Sequence, residues 1–416
     1  MRRSLVFALL FAAKIILILS SCSREANRAA VLWTDRPEFA FYADYFNTEQ
    51  EQFKVEVRYF DSPAEKLIES NDYPDIVAGS WLKSVSTRAF FRPLDKYLNP
   101  KAISKSAFYP RLLAMGNIDD KQYLLPVSFN APVIIFARDK AALISNPFTL
   151  GFEEMKKLGK DFNSASGNVY TRMGFSPSWD NNFLFTVATL FDASFREANP
   201  LAWDSLALDN AMSFIYDWTN EINSSVQSEE DFTFKYFYDP PAKLVLSGRI
   251  LFTSMNSDNY FTLPEEQRNS LDFRWIAEEN TIPLTEGSVY LGLAKRSKAP
   301  KAAAAFLRWF FQTSTQRYIL EKSRDNRLFE TDFGISGGFS SLRPVTEQIF
   351  PRFYPDLLGH MPPEEFLSPA NILPRNWLKL KERAIFPYLQ ERAHSPNRDE
   401  VFPLERRISD WIRQNS

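Results

Sequence analysis

Ala29-Ala30-Val31-Leu32-Trp33-Thr34, Val55-Glu56-Val57-Arg58-Tyr59 and Asp75-Ile76-Val77-Ala78 are three short runs of strand character, and what separates them decides the architecture. After the first run, Pro37 sits where a first helical position tolerates it. Phe39, Tyr42, Ala43 and Phe46 then fall at i, i+3, i+4 and i+7, one apolar stripe of a helix. Lys54 to Phe60 switches to period two, with Val55, Val57 and Tyr59 alternating against Glu56 and Arg58, and Ser62-Pro63-Ala64-Glu65 opens a short helix with a capping box. A β-α-β-α-β order calls for parallel strands with helical crossovers, so the fold class is α/β. In such sheets ligands bind beyond the carboxyl ends of the strands.

The residues leaving those ends are Trp33, Thr34, Asp35 and Arg36 after the first strand and Gly79, Ser80 and Trp81 after the third. A flat indole suits the C–H face of a sugar ring, while Asp35 and Arg36 offer paired acceptors and donors to hydroxyls, so the mixture fits a neutral polyol better than an apolar ligand. The competing reading packs Trp33 and Trp81 under the crossover helices. Their shared position at strand ends favours the rim.

Ahead of this unit, Met1-Arg2-Arg3, the apolar run Leu5 to Leu19 and Leu19-Ser20-Ser21-Cys22 read as a lipoprotein signal, with Cys22 as the lipidated first residue of the mature chain. Lys14 interrupts the apolar run, and no stretch reaches the ~20 apolar residues of a spanning helix. An uncleaved anchor, or an ordinary secretory signal with an incidental thiol, is the alternative. The mature chain is expected outside the cytoplasm, on the periplasmic side or the cell surface, tethered to the membrane by its lipid.

Composition removes several classes of function. With 49 Lys+Arg against 51 Asp+Glu, nothing points to nucleic acid as a partner. The single cysteine excludes an intramolecular disulfide. The two histidines, His360 and His394, have no second histidine at i+4, and no GxGxxG or GxxxxGK[ST] run occurs, so neither a metal nor a cofactor is expected. Phe 38, Tyr 16 and Trp 9 supply both core and material for a stacking surface.

In their order along the chain, several segments resemble extracellular solute-binding protein family 1 of ABC transporters, in its carbohydrate-binding branch. Val31-Leu32-Trp33-Thr34 with Tyr45-Phe46-Asn47 looks like the family's first strand and helix, and Tyr73-Pro74-Asp75-Ile76-Val77 like its "PDI" strand. Leu124-Leu125-Pro126-Val127-Ser128-Phe129-Asn130 is similar to the first crossing between lobes. Leu246-Ser247-Gly248-Arg249-Ile250 is similar to the Gly turn, with Ile250-Leu251 in place of Ala-Met. Gly287 to Gln316, including Ser297-Lys298 and Ala302 to Leu307, resembles the returning strand and the helix after it.

The resemblance implies a periplasmic-binding-protein type II-like fold: two α/β lobes joined by crossing hinge segments, with a ligand cleft between them. It places lobe 1 at 29–130 and 282–328 and lobe 2 at 131–281 and 329–416, after a leader over 1–21 and a tether over 22–28. Carried over by position, Trp33, Asp35 and Trp81 are first-lobe ligand contacts, joined by Arg36 from the strand-end reading, and Asn130 is the hinge contact. Trp179, Asp180 and Asn181 form the second-lobe rim, Tyr260 follows the Gly turn, and Gly287 and Tyr290 begin the returning strand. Gly337, Gly338 and Phe339 border the cleft. The implied partners are a small carbohydrate ligand and ABC permease subunits, and the implied state is a monomer with no enzymatic activity.

Each position has a structural alternative. Asn130 can simply satisfy hinge backbone groups, Asp180 and Asn181 can cap a helix beginning near Phe183, and Tyr290 can be core. Glu153-Glu154 and Glu229-Glu230-Asp231 read as solvated faces. Trp377, Leu378, Leu380, Ile385 and Leu389, in a proline-broken C-terminal region, are expected to cover lobe 2, ahead of an amphipathic end with Arg406, Arg407, Trp411 and Ile412. Two other functions compete with the receptor: an envelope interaction lipoprotein that keeps the fold without small-ligand transport, and a carbohydrate-cleaving enzyme using Asp35 and Asp180.

Overall fold

The computed structural model describes residues 28–167 and 169–415; the leader expected over 1–21 and the lipidation site Cys22 lie outside the described residues. The opening unit runs β1 (Ala30–Thr34), α1 (Phe39–Glu49), β2 (Val55–Tyr59), α2 (Pro63–Glu69) and β3 (Ile76–Gly79). α1 buries Phe39, Tyr42, Ala43 and Phe46, the stripe that its spacing predicts, although it starts at Phe39 and leaves Pro37 in the preceding turn. Ser62 Oγ accepts from the Glu65 amide at 3.2 Å, and Pro63 takes the first helical position where no N–H is needed. β1 lies between β2 and β3 and is parallel to both.

The chain continues through β4 (Leu124–Phe129), β5 (Pro132–Ala137), β6 (Thr149–Leu150), α3 (Phe152–Phe162), α4 (Asn181–Leu190), α5 (Ser205–Ile222) and α6 (Val226–Lys235). Next come β7 (Thr253–Asn256), α7 (Ser257–Phe261), β8 (Leu271–Ile276), β9 (Val289–Leu293), α8 (Pro300–Phe310) and β10 (Phe339–Ser340), and the chain ends in α9 (Phe386–Ala393) and α10 (Leu404–Gln414). Two sheets organise these elements: a six-stranded one in the order β10-β4-β9-β3-β1-β2 and a four-stranded one in the order β7-β5-β8-β6. Only Asn130 and Ala131 separate β4 of the first sheet from β5 of the second, and the chain returns to the first sheet between β8 and β9. β10 is the edge strand of the first sheet, antiparallel to β4, so this sheet also draws on the chain beyond residue 328.

Apolar packing ties the two halves together. One cluster runs from Leu32, Val127 and Phe129 to Phe273 and Trp275, closed over by Phe333, Phe339 and Phe350. A second fills the four-stranded half, and there Trp377, Leu380, Ile385 and Leu389 are buried as their pattern suggests, while Leu378 points outward. α10 buries Leu404 and Ile408. Arg392 of α9 is buried and donates to Asp209 and Ser213 of α5 at 2.9 Å each, which fastens the C-terminal helices to that half. Among the described residues, no helix is long and apolar enough to cross a membrane.

Candidate binding cleft

Where β1 and β3 end, a turn brings four groups together. Thr34 Oγ1 accepts from the Arg36 amide at 3.0 Å, which bends the chain as it leaves the sheet. Asp35 Oδ2 then accepts from the Ser80 amide at 3.1 Å, Arg36 Nη2 donates to Ser80 Oγ at 3.0 Å, and Ser80 Oγ donates to the Gly287 carbonyl at 3.1 Å. A Cβ on Gly79 would sit 2.8 Å from Asp35 Oδ1, so only glycine lets the carboxylate lie this close to β3. The Arg36 guanidinium is 3.5 Å from Asp35 and also acts on Glu38 and on Asp258 of α7. Burial raises all three carboxyls above their usual range, and Arg36 pulls each partly back.

This group is incompletely satisfied. Asp35 Oδ1, Arg36 Nε, Glu38 Oε2, Asp258 Oδ1 and Ser336 Oγ are buried without a hydrogen-bond partner. A Cβ on Gly337 would lie 3.4 Å from Glu38 Oε1 and 3.8 Å from Arg36 Nη1, and its φ of 71° also suits glycine, so the 334–338 loop closes over the cluster at that residue.

Asn130 stands where the chain crosses. Its Nδ2 donates to the Gly337 carbonyl at 2.7 Å, its Oδ1 accepts from Ser257 Oγ at 2.8 Å, and its carbonyl accepts from the Thr285 amide at 2.8 Å. Both ends of the amide are thus spent on knitting the crossing segments to one another.

On the second-lobe side, Asp180 Oδ1 caps α4 by accepting from the Asn182 amide at 2.9 Å, and Oδ2 accepts from Ser254 Oγ at 3.0 Å. The helix begins at Asn181, two residues before the position expected from sequence. Trp179 is half-buried rather than loop-exposed, its ring stacked on Phe232 at 5.7 Å and 14°. Trp179 Nε1 and Asn181 Oδ1 are both buried without partners. Glu229 departs from its reading as a solvated residue. It is 1% exposed and accepts from Ser176, from Ser178 at 2.5 Å and from Asn223 at 2.6 Å.

Three other candidate rings are packed in the core. Trp33 is buried against Phe60 at 4.8 Å, and Tyr260 lies between Phe261 and Phe273. Tyr290 donates to the Leu112 carbonyl at 2.9 Å, with Lys83 Nζ 4.7 Å from its ring centroid. Trp81 is different. Its φ of 63° is unusual for so bulky a residue and aims the indole where it touches apolar clusters of both halves. It lines a groove of ≈ 390 Å³ with Lys66 of α2 and Arg375, Leu378 and Lys379 of the C-terminal region.

A cavity of ≈ 620 Å³ adjoins the crossing segments, walled by Asn182 and Phe185 of α4, Asn256, Glu286, Leu373 and Lys381. Sequence reasoning missed Glu286 and Lys381. Lys381 Nζ is 2.6 Å from Glu286 Oε1 and 4.1 Å from the Phe185 centroid, and Trp377 Nε1 donates to the same Glu286 oxygen at 3.3 Å. No local pattern signals a pair 95 residues apart. Two further contacts bridge the halves: Lys379 with Glu65 at 2.8 Å, and Glu197, which accepts from Ser84 Oγ at 2.6 Å and the Val85 amide at 2.7 Å. The described residues contain no cluster able to hold a metal ion.

Lys83 provides a test of burial beside this site. Loss of hydration lowers its ammonium from 10.5 to about 8. Between those values the unfolded chain holds the proton and the folded one releases it, so stability from this group rises with pH from 8 to 10.5. Unfolding free energies of the wild type minus Lys83→Met are expected to climb across that window; a difference flat with pH would refute the assignment.

The chain matches the family model described as bacterial extracellular solute-binding protein over residues 42–324. Comparison with curated protein sequences finds no match. Among solved structures, the cyclic α-maltosyl-1,6-maltose binding protein from Arthrobacter globiformis is similar with a TM-score of 0.62 at 15% identity, over 92% of this chain and 96% of that one. A sugar-binding protein from Xanthomonas citri gives 0.62 at 12% identity, over 93% and 96%. The maltose/maltodextrin-binding domain from Bdellovibrio bacteriovorus, bound to maltotriose, gives 0.57 at 14% identity, over 93% and 99%. These likenesses show the fold: the two sheets with their helices are the two α/β lobes of the periplasmic-binding-protein type II-like arrangement.

Proposed function

Because the chain belongs to the bacterial extracellular solute-binding protein family, we propose that it is the lipid-anchored binding component of an ABC importer, capturing a sugar or oligosaccharide by lobe closure. Membership carries an extracytoplasmic location and a binding rather than a catalytic role. The observation that supports a hydroxyl-rich ligand is a set of buried polar atoms without a hydrogen bond, around the Asp35–Arg36 ion pair and at the Trp179–Asn181 rim. Glu38 Oε2, Ser336 Oγ and Asp258 Oδ1 belong to the group around Arg36, and Trp179 Nε1 and Asn181 Oδ1 to the rim. Buried polar groups are almost always paired, and a polyol brings donors and acceptors in the required mixture.

In this reading Asp35, Arg36, Trp81, Trp179, Asn181 and Gly287 contact the ligand. Asn130 and Asp180 hold the hinge and the rim, and Trp33, Tyr260 and Tyr290 support them from the core. A lobe division with crossings near 130 and 282, in which Phe339–Ser340 returns to the first sheet while the rest of 329–416 is assigned to lobe 2, lipidation at Cys22, a permease partner and a monomeric state belong to the same proposal. The ligand shifts the open-to-closed equilibrium by its higher affinity for the closed form, with no bond made or broken.

Thermal unfolding of the full chain against mono- and oligosaccharides, amino acids and peptides tests this. A saccharide at about 100 times its Kd should add ~2.7 kcal/mol of stability. Stabilisation confined to saccharides is the expected result, and a panel without any shift would overturn the receptor reading.

A further inference from the structure

We propose that Glu229 is a positioning residue for the second-lobe rim, its buried carboxylate fixing the Ser176–Trp179 segment and, with Phe232, the place of the Trp179 indole. The inference rests on the receptor reading for its functional meaning, since Trp179 matters to binding only if the rim meets a ligand.

The geometry begins with α6. Ser225 caps it by accepting from the Ser228 amide at 3.1 Å, which fixes the start of the helix. Glu229 and Phe232 are then three residues apart and share one face. Both are buried, and both meet the same loop: Glu229 accepts the hydroxyls of Ser176 and Ser178, while Phe232 lies nearly parallel to Trp179. The other carboxylate oxygen takes Asn223 Nδ2, which also donates to the Phe175 carbonyl at 2.9 Å. Asn163 extends the chain, donating to Asn223 Oδ1 at 3.0 Å and accepting from the Gly174 amide at 2.7 Å. The segment from Gly174 to Ser178 therefore hangs from an Asn163-Asn223-Glu229 line whose last two members are buried.

Two points favour positioning over simple space-filling. The loop backbone presses on α3 so closely that a Cβ on Gly174 would meet Gly159 Cα at 2.3 Å, so Gly174 cannot carry a side chain of its own to anchor the loop. A buried carboxylate also costs hydration, and an apolar residue would fill the volume without that cost. Of the side chains that could stand here, a carboxylate is the one that accepts from two hydroxyls and an amide at once.

The test is hydrogen exchange and tryptophan emission on the full chain, with Glu229→Ala and Glu229→Gln compared. Glu229→Ala is expected to speed exchange over 174–181 by about tenfold while the first sheet stays protected. It should also red-shift the Trp179 emission, read as the difference from Trp179→Phe. Glu229→Gln keeps an acceptor for the two hydroxyls but sets an NH2 group against Asn223 Nδ2, so it should fall between the wild type and Glu229→Ala in both signals. Unchanged exchange, or loss of protection spread evenly over the chain, would overturn the proposal. Maltotriose affinity supplies the second arm. If wild-type protein binds it, Glu229→Ala should weaken binding about tenfold, and should add nothing once Trp179→Ala is present. Additive losses would overturn positioning through Trp179. Failure of the wild type to bind any saccharide would count against the receptor reading and leave the exchange result to decide the role of Glu229.

Discussion

Replacing Trp377 by alanine is expected to lower the unfolding free energy by about 3–5 kcal/mol, the range for emptying a buried aromatic site. The indole is 1% exposed, its ring 5.8 Å from the centroids of both Phe185 and Phe195. Removing it opens a void between α4 and the C-terminal helices that rigid neighbours cannot close. It also deprives Glu286 of one of its two donors. Leu378→Ala is the internal control: that side chain is 53% exposed, and its loss should cost well under about 1 kcal/mol. Denaturant melts of both variants decide the matter, and equal losses would show that the C-terminal region is a surface addition rather than part of the core.

Arg36→Met is expected to abolish stabilisation by saccharides and, without ligand, to cost about 1–3 kcal/mol at neutral pH. The cost has a definite pH course. Asp35, Glu38 and Asp258 already sit above the usual carboxylate range because they are buried, and removing the guanidinium pushes them higher. A raised acid favours the folded state below its unfolded value near 4 and loses that favour as pH rises through the folded value. The deficit of the variant should therefore be small at pH 4 and grow toward pH 7. A deficit of equal size at both would mean that Arg36 contributes packing alone.

How much of this could be read in the chain beforehand follows from the range of the interactions. The opening β-α-β-α-β unit was legible because its cause is local: the stripe of Phe39, Tyr42, Ala43 and Phe46 must be buried whatever lies opposite, and Ser62 can cap only the helix that follows it. Asp35 and Arg36 were legible as site candidates because they leave a strand end, and Gly287 only because its segment resembles the family's returning strand. The orientation of each ring was not. Trp33 packs on Phe60 where β1 meets β2, and that depends on how the crossover helix α2 seats, which no single run encodes. Glu229 reads as solvated because an acidic triplet usually faces water; two of its three donors, Ser176 and Ser178, lie 53 and 51 residues away and meet it only in the folded arrangement. Glu286 and Lys381 were invisible for the same reason.

The outward-pointing Leu378, on the groove it shares with Trp81, makes the molecule convertible into an optical reporter. Of the chain's side chains only Cys22 carries sulfur as a thiol, and a lipid there would block it. Leu378→Cys would then take an environment-sensitive dye at one defined point, beside an indole rooted in the opposite half, and if the halves close on a ligand as proposed, its brightness would follow their separation.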